Sequence, residues 1–346
     1  MAFPAVTVNL SKIEHNARVL AAICSKNAAC VVGVTKACLG SPEVALAMIR
    51  GGVNAIADSR LANLERLYFE KQQKNGFDVP IMMLRQPMKD ECGRAVEITD
   101  VALVSELEAV KNLSAAAQKL GKAYSIVVMV ETGDLREGVL SQDLCEFIQR
   151  AAELPYITIA GIGTNVACLQ GVPPTPGMLE LLTGSAVNLR ERLGLSLPLI
   201  SGGNSSAWKL IESGAIPHGV NQFRFGEAVL LGQETTGFSP IPQTFQDAIV
   251  VEAEIIELKE KPVPDNGGTL RKRAILAIGR QDVSEGYLKP VGRGIEILRR
   301  SSDHLVVDVT DTNRTYTVGD AITFTPGYEA LLAAMTSPYC NKVFIS

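Results

Sequence analysis

Lys36 is a candidate nucleophile because of its position at the end of a predicted strand. It follows the run Val-Val-Gly-Val-Thr at residues 31–35, whose β-branched residues predict a buried strand. A turn opens at residues 40–42, and the proline at its end suits the first position of a helix. A lysine at the end of a buried strand can be desolvated, and a desolvated amine can lose its proton and act as a nucleophile. The alternative is an ordinary surface lysine.

A second group of residues has the chemistry to bind an anion. The segment Ser-Gly-Gly-Asn-Ser-Ser at residues 201–206 precedes a predicted helix and offers backbone N–H groups and hydroxyls. Residues 225–227, Phe-Gly-Glu, offer further N–H groups. The alternative is a glycine-rich turn with a serine cap. Arg224, the last residue of its predicted strand, either points toward a ligand atom or forms a surface ion pair.

A nucleophilic lysine, an anion cradle and an inward arginine together fit pyridoxal 5′-phosphate. Lys36 would form the Schiff base, the cradle would hold the phosphate, and Arg224 would face the pyridine nitrogen. This interpretation requires all three groups to lie on one rim of the fold.

The order of strands and helices predicts such a rim. Eight strand-like runs alternate with helical segments over roughly 200 residues, which is typical of a closed (β/α)8 TIM-type barrel. In this barrel the chemistry lies at the carboxyl ends of the strands, and the last two loops usually bind phosphate. A doubly wound open sheet is the alternative, but the sequence has neither GxGxxG nor GxxxxGK[ST].

The pattern changes near residue 240. Strand-like runs separated by turns, such as the turn at residues 264–268, predict a second, mostly β domain. We therefore place the barrel at residues 11–238 and the β domain at 239–346, joined by an N-terminal strand at 1–10. Ser-Lys-Ile-Glu at residues 11–14 predicts a capping box at the start of the first helix.

Composition excludes several classes of function. The chain has 346 residues and a net charge of −4, with no lysine/arginine run, which argues against a nucleic-acid partner. We read no signal peptide and no run of about 18 apolar residues, so we expect a cytoplasmic protein without membrane spans. The seven cysteines and three histidines are scattered, so we expect free thiols and no metal site.

Five short motifs carry a more specific signal. They are Gly-Val-Thr-Lys at 33–36, Gly-Ile-Gly-Thr-Asn at 161–165, Ser-Gly-Gly-Asn-Ser-Ser-Ala-Trp at 201–208, Ala-Ile-Gly-Arg-Gln-Asp-Val at 277–283 and Ser-Asp-His at 302–304. Through these motifs the sequence resembles the fold-type III PLP enzymes, the alanine racemase-like superfamily, and most closely the ornithine/lysine racemase branch. The resemblance covers nearly the whole chain and implies a homodimer with a shared active site.

The resemblance also implies individual roles. Lys36 would be the Schiff-base lysine, Arg136 would reach the phenolic oxygen of the cofactor, and Asn165 would lie beside its ring. Arg224 would bond the pyridine nitrogen, which disfavours transamination. The cofactor-binding set, including the anion cradle, is Lys36, Arg136, Asn165, Asn204, Ser205, Ser206, Arg224, Gly226 and Glu227.

The sequence departs from alanine racemases at three places. Leu39 stands where they have a phosphate-binding tyrosine, Met129 replaces their carbamylated lysine, and residues 255–270 lack their second catalytic tyrosine. A second acid/base would come from the β domain of the partner subunit. The candidates are Asp282, Tyr287, Asp303 and His304, of which Asp282 and Asp303 are our catalytic predictions.

The predicted reaction is racemisation of basic amino acids such as ornithine and lysine. The substrate amine would displace Lys36 to form an external aldimine, and Lys36 would then exchange the α-proton on one face. An acidic group opposite would also suit a distal ammonium. Arg85 or Arg280 would take the substrate carboxylate.

Other functions remain open at this point. The first alternative is a broad-specificity or alanine racemase. A non-catalytic PLP-carrier protein would lack the β domain, and a PLP-dependent aldolase would need a metal beside the cofactor. A sugar-phosphate barrel enzyme would use no PLP at all.

Overall fold

The computed structural model describes residues 2–74, 76–168, 171–262 and 269–346. The chain forms two compact units. One comprises Ile13–Lys36 and Gly40–Thr244, and the other comprises Met1–Lys12, Ala37–Leu39 and Phe245–Ser346. The turn predicted at 264–268 lies outside the described residues.

The larger unit contains a closed barrel of eight parallel strands, which confirms the predicted fold class. Strand β1, Ala5–Asn9, precedes the barrel and belongs to the smaller unit. The barrel strands are β2 Cys30–Val34, β3 Ala55–Asp58, β4 Ile81–Met83, β5 Val101–Val104, β6 Tyr124–Met129, β7 Ile157–Gly163, β8 Leu199–Asn204 and β9 Gln222–Phe225.

Helices separate these strands along the chain. They are α1 Leu10–Lys26, α2 Pro42–Arg50, α3 Leu61–Lys71, α4 Cys92–Ile98, α5 Leu107–Leu120, α6 Leu144–Ala152, α7 Pro176–Leu193, α8 Trp208–Glu212 and α9 Glu227–Leu231, with 3-10 turns at Lys36–Cys38, Lys89–Glu91 and Ser205–Ala207. In the part of the chain that the structure describes, no helix is long and apolar enough to cross a membrane.

The predicted capping box at residues 11–14 is wrong. Helix α1 begins at Leu10, directly after β1, and the side chain of Asn9 accepts a hydrogen bond of 2.9 Å from the Lys12 backbone N–H. Ser11 therefore lies inside the first turn. Glu14 instead pairs with Arg50 at 2.9 Å. Asn9 caps the helix because the chain passes from strand to helix without a linker.

An apolar cluster fills the barrel between strands β2 and β6. Alternate strand residues contribute to it, as period-two side-chain direction requires. Its members are Val32, Val34, Ala55, Ala57, Met82, Leu103, Val127 and Met129. Strands β2 to β6 therefore present mainly apolar groups inside the barrel, whereas the buried polar residues Ser201 and Arg224 lie on β8 and β9.

Residues 201–204, the first part of the predicted anion-binding segment, are the irregular end of a strand. Strand β8 continues to Asn204, with a register shift against β9 between Ser201 and Asn204. Gly203 has a φ of +115°, and a Cβ on it would lie 2.8 Å from Val166 Cγ2. Only glycine fits this conformation and this close approach.

The smaller unit is mostly β, as predicted. Its strands after the barrel are β10 Ile249–Pro262, β11 Leu270–Leu276, β12 Leu288–Pro290, β13 Glu296–Arg300, β14 Leu305–Asp308, β15 Ala321–Pro326 and β16 Asn341–Ile345. The sheet order is β12-β15-β10-β11-β14-β13, and β1 lies between β10 and β16. Helices α10, Arg280–Val283, and α11, Tyr328–Thr336, were not predicted.

Candidate active site

Lys36 lies just beyond the carboxyl end of barrel strand β2. Strand β2 pairs with β3 on one side and with β9 on the other. The Thr35 backbone N–H donates to Ala57 O at 3.0 Å and extends the pairing by one residue beyond Val34. Lys36 then begins a 3-10 turn and is half-buried. Lys36 is therefore partly shielded from solvent, and its role as a nucleophile stays a prediction.

Arg224, on the neighbouring strand β9, is buried with 3% exposure. Its guanidinium donates to the Ser201 hydroxyl, to Thr164 O at 2.6 Å and to Asn165 Oδ1 at 2.8 Å. Burial lowers the pKa of Arg224 to about 10, so the side chain remains a cation at neutral pH. The alternative of a surface ion pair for Arg224 is wrong, because the side chain is inside the barrel end.

A chain of side chains connects Arg224 with Arg136. The Asn165 amide nitrogen donates to Glu137 Oε1 at 2.5 Å, and Arg136 Nη2 donates to the same oxygen at 2.8 Å. Glu137 thus joins two predicted cofactor residues. Sequence reasoning missed Glu137, although its position directly after Arg136 in a strand-exit loop was a signal.

The predicted phosphate cradle divides into two kinds of residue. Asn204 donates to Val166 O at 2.9 Å and accepts from the Ser206 backbone N–H, while the Ser206 hydroxyl donates to Val166 O at 3.0 Å. Ser205 differs from these two, because its hydroxyl accepts a bond of 3.1 Å from Ala228 N. A hydroxyl that accepts still carries a proton to donate. Asn204 and Ser206 therefore shape the loop, and Ser205 has donor capacity for an anion.

Glu227 follows Gly226 at the start of α9 and is buried with 8% exposure. Burial raises the pKa of the Glu227 carboxyl to about 7. A hydrogen bond of 2.8 Å from Gln233 Nε2 and the charge of Lys36 oppose this rise, and the charge of Glu234 adds to it. Lys36 and Glu227 are therefore close enough to influence each other electrostatically.

The exits of five adjacent strands form this region. Strands β6, β7, β8, β9 and β2 pair in that order around the barrel, and Arg136 and Glu137 follow β6. The hydrogen bonds from Arg136 to Glu137 and from Asn165 to Glu137, together with the bond from Arg224 to Asn165, join the exits of β6, β7 and β9. Pairing of β2 with β9 places Lys36 at the neighbouring exit.

The second predicted acid/base residues lie in the β domain. Asp282 is buried and accepts hydrogen bonds from the Ser337 hydroxyl at 3.0 Å and from Gly279 N at 3.1 Å. Asp303 is exposed and accepts from Gln281 Nε2 at 2.8 Å. Asp282 is therefore held within its own domain, whereas Asp303 lies at the surface.

The remaining predicted acid/base and substrate-binding residues are either exposed or in ion pairs. Tyr287 is 69% exposed, and His304 is also exposed. Arg280 forms an ion pair with Glu285, and Arg85 forms one with Glu91 at 3.0 Å. Both predicted substrate-binding arginines are thus paired with carboxylates of their own regions.

Two of the three departures from alanine racemases, Met129 and Leu39, have different local environments. Met129 is 1% exposed and packs in the apolar cluster of the barrel. Leu39 has a φ of +55°, a conformation that costs a residue with a Cβ of order 1–3 kcal/mol.

The donor set fits pyridoxal 5′-phosphate. The rim offers an amine at Lys36, a hydroxyl at Ser205 and a buried cation at Arg224. These correspond to the aldehyde, phosphate and ring nitrogen of that molecule. Arg136, which donates to Glu137, is a second cation in this region and would suit the phenolic oxygen of that molecule.

Comparison with solved structures defines the class of fold. The structure matches that of alanine racemase from Streptomyces coelicolor A3(2) with a TM-score of 0.77 and 18% sequence identity. The match covers 99% of this chain and 98% of that chain. The structure also matches D-threonine aldolase from Filomicrobium marinum with a TM-score of 0.79, 15% identity, and 96% and 88% of the two chains covered. This is the alanine racemase fold, and it carries more than one chemistry.

Sequence comparison defines the family within that fold. Residues 8–233 match the family described as "Alanine racemase, N-terminal domain", and the chain belongs to this family. It is 38% identical to lysine racemase from Thermotoga maritima, with 99% of each chain covered. It is 39% identical to ornithine racemase from Acetoanaerobium sticklandii, with 98% of this chain and 99% of the relative covered. The predicted family relationship is confirmed.

Proposed function

We propose that this protein is a pyridoxal 5′-phosphate-dependent racemase of basic amino acids, with ornithine and lysine as the principal substrates. The observation that carries the proposal is its full-length similarity to a lysine racemase and an ornithine racemase. The hydrogen-bonded chain from Arg136 to Arg224, with Lys36 at the exit of the strand beside β9, supports it. We also propose a cytoplasmic homodimer in which the partner subunit completes the active site.

Lys36 has two roles in this proposal. Its amine holds the cofactor aldehyde, and after the substrate takes its place it moves the α-proton on one face of the substrate. When bound, the cofactor supplies an electron-withdrawing group conjugated with the substrate nitrogen, which acidifies the α C–H bond. The strand β2 fixes the backbone from which Lys36 reaches this proton.

Arg224 controls which reaction follows proton removal. It remains a cation at neutral pH and is held by three acceptors, so towards the ring nitrogen of the cofactor it would act as a hydrogen-bond donor that keeps its proton. A ring nitrogen without its own proton withdraws electrons weakly. The α-proton therefore returns to Cα, and racemisation is favoured over transamination.

The opposite face of the substrate needs a second acid/base. Of the two predicted carboxylates, we favour Asp303 because it is exposed, whereas Asp282 is buried and accepts bonds from Ser337 and Gly279. Asp303 of the partner subunit would supply this group or pair with the distal ammonium of the substrate.

The test is incubation with a panel of L-amino acids in D₂O, followed by chiral chromatography and mass spectrometry. We expect D-ornithine and D-lysine carrying deuterium at Cα. Faster racemisation of alanine than of ornithine and lysine would favour the alanine or broad-specificity alternative. No D-product and no α-deuterium from any basic amino acid would overturn the proposal.

A further inference from the structure

Asp58, the last residue of strand β3, is a carboxylate with no exposure to solvent and no place in the proposed cofactor site. One oxygen, Oδ2, accepts a bond of 2.9 Å from the Thr35 hydroxyl. The other, Oδ1, accepts from Ser59 N at 2.7 Å, Arg60 N at 3.1 Å and Asn63 Nδ2 at 3.0 Å. Burial raises the pKa of Asp58, and these four bonds oppose the rise.

The bond to Thr35 fixes the chain on the N-terminal side of Lys36. Thr35 is buried, and its backbone N–H donates to Ala57 O at 3.0 Å. Its side chain and its backbone are therefore both attached to the end of β3. The residue directly before the lysine has little freedom to rotate.

Asn63 supports the chain on the C-terminal side of Lys36. The Gly40 N–H donates to Thr35 O at 3.4 Å and closes the turn that contains the lysine. Gly40 has a φ of +64°, and a Cβ on it would lie 2.6 Å from Asn63 O. Both ends of the turn therefore involve residues that are bonded to Asp58. Thr35 is bonded to it directly, and Gly40 lies close to the backbone of Asn63, whose side chain donates to Asp58.

We propose that Asp58 is a positioning residue that, through Thr35 and Asn63, fixes the backbone on both sides of Lys36 and so directs the lysine amine toward the cofactor aldehyde. This inference rests on the proposed function, because it assumes that Lys36 holds the cofactor. The competing role is simpler. Since Asp58 also accepts from Ser59 N and Arg60 N, it could serve only to stabilise the start of α3.

Thr35→Val separates the two roles, because it removes one hydroxyl and leaves the bonds of Asp58 to Ser59, Arg60 and Asn63 in place. Thr35→Ser restores the hydroxyl. Thr99→Val is a matched control, since Thr99 is also buried and its hydroxyl donates to Ala95 O at 2.7 Å, outside the strand-exit region.

Three quantities are measured on the full-length chain freed of cofactor. They are the amide exchange rate of the peptide containing residues 35–40, the rate at which Lys36 captures pyridoxal 5′-phosphate, and the affinity for pyridoxamine 5′-phosphate. Capture is stopped with borohydride and mapped by mass spectrometry. Pyridoxamine 5′-phosphate has no aldehyde, so it reports binding without capture.

For Thr35→Val we expect faster exchange at 35–40 and capture slowed at least about tenfold, because small misplacements of a reacting group are costly. The affinity for pyridoxamine 5′-phosphate should stay within about threefold of wild type, a difference below about 1 kcal/mol. Thr35→Ser should restore both rates, and Thr99→Val should change neither.

Unchanged capture in Thr35→Val would overturn the inference, whether or not exchange at 35–40 increases. If Thr35→Val does not fold, Asn63→Ala removes the other arm and must slow capture in the same way, and unchanged capture there has the same meaning. A wild-type chain that never captures the cofactor at Lys36 would instead overturn the proposed function, and the inference with it.

Discussion

The lysine side and the arginine side of the barrel end are built differently. On the lysine side, Asp58 accepts hydrogen bonds from Thr35 and Asn63. These three residues belong to two consecutive strand–helix units. On the arginine side, Arg224 of β9 bonds to Ser201 of β8 and to Asn165 after β7. The first arrangement is local along the chain, and the second joins separate units of the barrel.

This difference has a physical consequence for the two sides. A local arrangement forms once its own two units are in place, because the chain between its partners is short. The arginine network requires β7, β8 and β9 to be in register first, and its buried cation is stabilised only when all three acceptors are present. A substitution on the lysine side should therefore affect only its own two units, whereas a substitution on the arginine side should also destabilise the other strands that its network joins.

The largest expected effect comes from Lys36→Ala. Removal of the amine should abolish covalent capture of pyridoxal 5′-phosphate and lower racemisation at least about 100- to 10,000-fold, the range for loss of a general acid/base. Because this half-buried side chain is not among the buried residues of the barrel core, the unfolding midpoint of the cofactor-free protein should stay close to wild type. Borohydride labelling and thermal unfolding check both points. Covalent capture by Lys36→Ala at the wild-type rate, mapped to another lysine, would contradict the assignment.

Arg224→Glu should have the next largest effect and should spread beyond the site. A carboxylate cannot donate to Thr164 O or Asn165 Oδ1, so the free energy of unfolding should fall by about 3–5 kcal/mol. Remaining PLP-bound protein should shift from racemisation to transamination, measured as oxo acid and pyridoxamine 5′-phosphate. Arg224→Lys, which keeps a cation, is the control and should form less oxo acid. Equal oxo acid from wild type and Arg224→Glu would refute the role of Arg224.

Gly40→Ala tests the lysine side. Its φ of +64° disfavours a side chain, and the added Cβ would lie 2.6 Å from Asn63 O. We expect a loss of about 2–4 kcal/mol in the free energy of unfolding from backbone strain and overpacking. Gly121→Ala is the matched control, with a similar φ of +63° but no atom within 4 Å of the added Cβ. Affinity for pyridoxamine 5′-phosphate should be retained in Gly40→Ala; a large loss would show that lysine-side damage is not local.

Glu227→Gln should have the smallest effect, visible as a change in pH dependence. The pKa of Glu227 rises from 4.5 to about 7 on burial in the folded state, so the folded protein binds more protons than the unfolded chain between these values. Stability of the cofactor-free protein therefore falls as pH rises from about 5 to 7, by about 2 kcal/mol. Glu227→Gln should lack this decrease.

Denaturant titrations at pH 5, 6 and 7 measure the effect. Glu234→Gln is the comparison, because Glu234 has the opposite environment. Burial alone would raise the pKa of Glu234, but hydrogen bonds from Thr236, Ser239 and Gly237 lower it to about 2. Glu234→Gln should therefore destabilise at every one of these pH values. Identical pH profiles for wild type and Glu227→Gln would contradict the prediction.

Much of the lysine side was predictable because its signals are consecutive in the sequence. A buried parallel strand reads as an apolar run, and the polar residue that ends it marks the rim, which located Lys36. The error at residues 11–14 was also local. Ser11 matched a capping motif, but Asn9, two residues earlier, was a competing cap that the pattern did not weigh.

The arginine side was only partly predictable because its contacts join distant units. Arg224 was assigned from its strand end, but its acceptors Thr164 and Ser201 were not, since pairing of β7, β8 and β9 brings them together. Glu137 was missed for the same reason. Its function follows from the position of Asn165, which no spacing in the sequence reveals.

Strand β1 has a consequence for the synthesis of the molecule. It pairs with β10, Thr7 opposite Val250, and with β16, Thr7 opposite Val343. At about 5–20 residues per second, a ribosome needs on the order of ten to fifty seconds to reach the first of these partners. During that interval β1 has neither of its partners. Because an unpaired strand edge can pair with the wrong strand, we expect β1 to be prone to mispairing until β10 has been synthesised.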